Sequence, residues 1–215
     1  MFTGLIKELG EVKKLSLSGD GLIIGITAPK ISPRLTQGNS VNLNGACQSA
    51  VSIDTAGFEV FATSETLAKT NFGKLKSGEP VNLELPLTLE NPLGGHLVLG
   101  HIDCVGKIKT FTQGSNSVIL KVQYDSKYEP LLAEKGSIAV DGISLTCFDI
   151  SESVFSVAVI PETIKTTNLQ CRKPGDYVNL EFDIFAKYIQ KNIKKQPTAL
   201  TVEYLNQHGF EVNYD

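Results

Sequence analysis

The stretch over residues 132–181, which opens LAEKGSIAVDGISLT and closes YVNLE, is a second copy of residues 35–84, which open LTQGNSVNLNGACQS and close PVNLE. The offset is constant, since 132 − 35 = 97 and 181 − 84 = 97. Across it Ser40 meets Ser137, Gly45 meets Gly142, Phe58 meets Phe155, Thr66 meets Thr163, Asn71 meets Asn168 and Gly78 meets Gly175. A one-residue slip carries the match to the chain start, where Gly4, Gly10 and Val12 meet Gly100, Gly106 and Ile108 at an offset of 96. The 215 residues therefore form two like units, each long enough to bury a core.

Composition excludes several classes. Hydrophobic residues make up 41% and charged residues 20%, with a net charge of −3, so neither disorder nor a general attraction to nucleic acid or an anionic membrane is indicated. No apolar run approaches the roughly 18–20 residues that cross a bilayer. The opening MFTGLIKEL lacks the basic, apolar and small-residue regions of a secretory signal, which points to the cytoplasm. Cys47, Cys104, Cys147 and Cys171 are scattered and include no CxxC pair, so they read as reduced thiols.

Within each copy the pattern is that of strands. Residues 2–15 read as a short strand bent at Gly4 and Gly10, residues 21–27 as the next, and residues 40–51 and 58–63 alternate with the period of two of half-buried strands. A helical turn or two follows at residues 64–70, capped by Thr63 or Ser64, and in the second copy Pro161 takes the first helical position. Gly78 and Gly175 turn the chain into the closing VNLE strands. Many short strands, Gly-rich turns and one short helix suggest closure, which removes exposed sheet edges. The expected fold is mostly β: two tandem, internally duplicated small closed β-barrels with a short helix each, plus a C-terminal helix. Residues 85–93, with two prolines, read as the connection. The division is 1–86, a linker over 87–97, 98–183, a helix over 184–196 and a tail over 197–215.

In that C-terminal helix Ile184, Phe185, Tyr188, Ile189 and Ile193 fall at helical spacing against Lys187, Lys191, Lys194 and Lys195. The stripe has no counterpart after the first copy, so it either packs on its own barrel or assembles an oligomer. The tail offers a second helix over residues 198–208, capped by Thr198 and ended by Gly209.

The chain contains no GxGxxG, no GxxxxGK[ST] and no HExxH. His96, His101 and Cys104 stand at odd separations, which along a strand point to opposite faces, so no metal site is expected. The informative positions are those where the copies differ. Cys47 in NGACQS stands where DGISLT has Ser144, and Pro86 where the second copy has Asp183. The GGHLVLGH segment carries two histidines without equivalents in the first copy. Each has a plainer reading too: a lone strand cysteine as a small buried hydrophobe, a turn serine, and the ET…TN residues of both copies as helix capping.

MFTGLI, NGAC, ETLAKTN, GGHLVLGHID, KGSIAVDGISLT, IPETIKTTNL and GDYVNLEFD occur in this order. In these motifs, over residues 1–195, the chain resembles the alpha-type, two-barrel riboflavin synthase family. The resemblance implies an enzyme without metal or cofactor that joins two molecules of 6,7-dimethyl-8-ribityllumazine by moving a four-carbon unit between them. It further implies a homotrimer whose sites lie between the first barrel of one subunit and the second of another. Residue by residue, it implies a first pocket lined by Phe2, Thr3, Ser40, Cys47, Ser49, Ala62 and Thr66. The second would comprise Lys135, Ser144, Thr146, Ile160, Thr163 and Asp183, with His101 nearby. Cys47, His101, Ser144 and Asp183 are the candidates for chemistry: a histidine as base near neutral pH, a thiol or hydroxyl as nucleophile. The chain departs from the family pattern at Gln48, Ser49 and Leu99. The alternative is a non-catalytic lumazine- or flavin-binding protein of the same fold.

Overall fold

The computed structural model describes residues 1–114, 117–193 and 202–209. The first half comprises β1 (Glu8–Ser18), β2 (Gly21–Thr27), β3 (Ser40–Leu43), β4 (Ala46–Ile53), β5 (Gly57–Ala62), α1 (Ser64–Lys69) and β6 (Pro80–Glu84). The second repeats it as β7 (Cys104–Gln113), β8 (Val118–Gln123), β9 (Ser137–Val140), β10 (Ile143–Ser151), β11 (Val154–Val159), α2 (Pro161–Thr166) and β12 (Tyr177–Phe182). Each set closes into a six-stranded antiparallel barrel, in the order β1-β2-β5-β4-β3-β6 and β10-β11-β8-β7-β12-β9.

Two readings of the strands change. The alternating stretch over residues 40–51 is two strands, because Asn44 and Gly45 both take positive φ, 44° and 87°, and turn β3 back on β4. Asp141 and Gly142 repeat this at 44° and 79°. Positive φ at both central positions is the hairpin turn whose twist matches its strands, and Asn-Gly and Asp-Gly supply it. The first strand begins at Glu8 rather than residue 2. Residues 2–4 instead leave the barrel and pair with the segment around Val98, through Phe2 N to Val98 O at 2.7 Å and His96 N to Thr3 O at 3.2 Å.

Alternation decides what each strand buries. In β6, Val81 and Leu83 enter the first core while Asn82 and Glu84 face outward, yet all four are buried. Asn82 meets the other half of the chain, while Glu84 holds Thr3 and Gly4 of its own half. Asn168 N donates to Asn82 Oδ1 and Asn71 N to Asn179 Oδ1, both at 2.7 Å, related by the 97-residue offset. Likewise Asn82 Nδ2 donates to Asp141 O at 2.9 Å, and Asn179 Nδ2 to Asn44 O at 2.8 Å. The repeated asparagines thus make a pseudo-two-fold polar junction. One feature breaks the symmetry: Asp141 stands opposite Asn44, and Arg172, whose counterpart is Leu75, pairs with Asp141 at 2.8 Å and Glu79 at 3.0 Å.

α3 (Ile184–Ile193) leaves Phe185, Tyr188, Ile189 and Ile193 60–64% exposed. Its Lys187 pairs with Asp103 at 2.6 Å. Beyond Ile184, which is half-buried, the apolar stripe therefore does not pack on its own barrel. Lys194 and Lys195 lie outside the described residues. So does Thr198, the cap expected for the tail helix, of which α4 (Val202–Gln207) is described, followed by Gly209 at φ 83°.

Candidate functional site

On β4 the inward residues Ala46 and Ala50 join the first core, so Cys47 and Ser49 face out of the barrel. Gln48 also points inward, is buried, and donates from Nε2 to the Cys47 carbonyl at 2.7 Å. On β10 the same alternation puts Ile143 and Cys147 in the second core and Ser144 and Thr146 outside. Each outer wall carries a cavity. One of about 300 Å³ is lined by Cys47, Thr66, Lys69, Gly100 and His101. The other, about 390 Å³, is lined by Lys135, Ser144, Thr146, Ile160 and Thr163. Cys47 and Ser144, and Thr66 and Thr163, occupy matched places in them. A cleft of about 400 Å³ at the junction, lined by Lys74, Lys76, Arg172 and Tyr177, lies apart from all these residues.

Both walls are closed by segments that cross from elsewhere. Cys47 N donates to Gly100 O at 2.8 Å and Ser144 N to Gly4 O at 2.9 Å. A Cβ on Gly100 would come within 2.5 Å of Cys47 Cβ, and one on Gly4 within 2.6 Å of Ser144 Cβ. Only glycine permits this approach at φ 84° and 76°.

These crossings rearrange the expected site. His101, expected beside the second pocket, lines the first with Cys47. Phe2 and Thr3, expected to line the first pocket, are buried. Phe2 packs with Val98, Ala139 and Cys47 where the halves meet, and Thr3 N donates to Glu84 at 2.7 Å. Ala62 turns its side chain into the first core. Ser40 and Ser49 are paired across β3 and β4, outside the cavity lining. Asp183 is not part of the second cavity's lining; its Oδ1 accepts from Phe185 N at 2.9 Å and caps α3.

The sequence marks His96 as a histidine without a counterpart in the first copy but assigns it no place in either pocket. Its Nδ1 lies 2.7 Å from Ser144 Oγ, and the ring is buried. Burial lowers its pKa, and the nearby Asp183 charge only partly offsets this, so the ring is neutral at pH 7. With its proton on Nε2, Nδ1 accepts from the Ser144 hydroxyl, the arrangement that activates a weak oxygen nucleophile. Two other thiols are put out of use: burial pushes Cys104 and Cys147 up to about 12. Glu181 is buried as well, which pushes its carboxyl up to about 7 against the opposing effect of the Leu99 and Gly100 amides and Lys187.

Lys135 shows the second wall to be built under strain. It sits at φ 65°, where its counterpart in the first copy is Gly38 at φ 86°. A non-glycine residue there costs on the order of 1–2 kcal/mol, and such strain collects at functional sites. Lys135→Gly is expected to raise the urea midpoint, by a net gain of about 0.5–1 kcal/mol once glycine's unfolded-state entropy is counted.

The sequence matches the lumazine binding domain family twice, over residues 3–86 and 99–183. It is 40% identical to the riboflavin synthase of Actinobacillus pleuropneumoniae, with 98% of this chain and 100% of that protein covered. It is 33% identical to that of Bacillus subtilis (strain 168) over the same shares. The crystal structure of LumP complexed with riboflavin superposes with a TM-score of 0.80 at 25% identity, covering 85% of this chain and 99% of that one. With both matched domains folded as closed barrels, the chain belongs to the riboflavin synthase family of transferases, built on paired lumazine-binding domains.

Proposed function

We propose that the protein converts two molecules of 6,7-dimethyl-8-ribityllumazine into riboflavin and 5-amino-6-ribitylamino-pyrimidinedione, moving a four-carbon unit from one ring to the other. The observation that carries this reading is the inequality of the matched cavities, a thiol with His101 on one wall and Ser144 with His96 on the other. Two copies of one substrate call for two like walls, held so that orientation replaces encounter. Because one copy donates carbons and the other accepts them, the walls must still differ. The four carbons lost by one ring are those gained by the other, so the exchange balances without an external oxidant or reductant. His101 is the base for the acidic ring methyl in the first cavity. Ser144, deprotonated toward His96, adds to the ring in the second, with Asp183 supporting the charge that develops on His96. Cys47 lines the first ring or adds to it.

Incubating the purified protein with the lumazine alone should produce the absorbance and fluorescence of riboflavin. Bound ligand without new riboflavin would instead make it a non-catalytic lumazine- or flavin-binding protein of the same fold.

The assembly we propose is a cytoplasmic homotrimer in which the first cavity of one subunit faces the second of its neighbour. Supporting it, both cavities open on outer walls and α3 presents an uncovered apolar stripe. No helix among the described residues is long and apolar enough to cross a membrane. Truncation after Asp183 is expected to leave folded barrels of lower mass in sedimentation. An unchanged trimer would exclude α3 as the joint.

A further inference from the structure

We infer that Glu181 is the positioning residue for His101, so that the closing strand of the second barrel places the base of the first barrel's cavity. Glu181 lies one residue before the end of β12, is 2% exposed and collects three backbone donors from one short segment. Its Oε1 accepts from Leu99 N at 2.7 Å, and its Oε2 from Gly100 N at 2.9 Å and His101 N at 3.1 Å. The carbonyl between those amides, Gly100 O, accepts from Cys47 N at 2.8 Å. An unbroken run of hydrogen bonds therefore leads from the second barrel through the segment to the wall of the first cavity. Among the described residues the His101 ring itself makes no hydrogen bond, so the backbone held by Glu181 is what sets its place.

The repeat supplies an internal comparison. Glu84 holds Thr3 N at 2.7 Å and Gly4 N at 3.0 Å, and Gly4 O accepts from Ser144 N. At the offset of 96 the residue matching His101 is Leu5. Both glutamates clamp a crossing segment, but only that of Glu181 ends in a group able to take a proton.

This inference rests on the proposed role of His101, and its test separates the two. Glu181→Gln keeps the shape but replaces one acceptor oxygen by an NH2, leaving three N–H donors facing one acceptor. In the full chain it is expected to lower kcat for riboflavin formation about 10–100-fold, the scale of a displaced catalytic group. Riboflavin affinity should change less than about threefold, and the His101 Cε1 resonance should move in NMR spectra. In a His101→Ala background the same substitution should add less than about twofold, because residues that act through one another are not additive. Full additivity would overturn the inference. So would an unmoved His101 resonance, or an equal movement in Glu84→Gln, which would indicate general loosening. If His101→Ala alone leaves turnover intact, the base assignment fails, and the His101 resonance in Glu181→Gln then decides the positioning by itself. Glu181→Asp, which keeps both oxygens on a shorter arm, carries the same readouts if the glutamine variant does not fold.

Discussion

Replacing Arg172 by leucine is expected to cost about 3–5 kcal/mol of folding stability, the usual penalty for removing one partner of a buried ion pair. Asp141 is fully buried. Its carboxylate accepts from Arg172 Nη2, Asn168 Nδ2 and Asn179 N, each at 2.8 Å, and from Asn71 Nδ2 at 3.3 Å. Without the guanidinium, a negative charge is left at the junction among neutral donors, with no cation to offset its desolvation. Glu79, the other partner of Arg172, keeps 24% side-chain exposure and contributes less, because solvent screens it. The first half of the chain holds the remedy, since it has Asn44 and Leu75 in the matching places. Asp141→Asn with Arg172→Leu should therefore recover most of the loss, as neutral replacement of a whole buried pair often does. Urea unfolding of the two variants checks this. A single substitution that costs under about 1 kcal/mol, or a double one that costs more than the single, would show that the pair does not hold the junction.

His101→Ala is expected to slow riboflavin formation by roughly 10²–10⁴-fold, the range for removal of a general acid or base. The ring methyl of the lumazine is acidic because its anion delocalises into the pyrimidinedione, so a histidine suffices to take the proton. Riboflavin affinity should persist, since Thr66, Lys69 and the Cys47 wall remain. Cys47→Ser should likewise bind ligand but turn over more slowly. Stopped-flow or steady-state assays alongside a binding titration distinguish rate from affinity. Near-normal riboflavin formation by both variants would remove these two side chains from the chemistry and leave orientation of the substrates as the source of rate.

Both barrels, their short helices and the matched Cys47 and Ser144 positions were legible in the residues alone. Strand alternation, proline and glycine placement and the 97-residue repeat are local or periodic signals, and they survive without coordinates. The Asn44-Gly45 turn was equally present in the sequence, though the alternation around it masked the hairpin. The repeated VNLE and TN residues were visible too, but their work at a junction was not. Asn82 and Asn179 look like any outward strand positions until a second barrel covers them.

Which half each histidine serves depended on folding. Gly4 reaches Ser144 and Gly100 reaches Cys47 across long stretches of chain, and no period or spacing encodes such a crossing. It arises because Glu84 and Glu181 capture amide groups of the segments beside them, and because glycine lets those segments press against the neighbouring wall. The same crossings bring His96 to Ser144, carry His101 to Cys47, and draw Phe2 and Thr3 out of the cavity into the seam between barrels. Repetition in the residues thus settled that there are two like barrels with unlike walls, while long-range backbone hydrogen bonding settled which side chains meet on each.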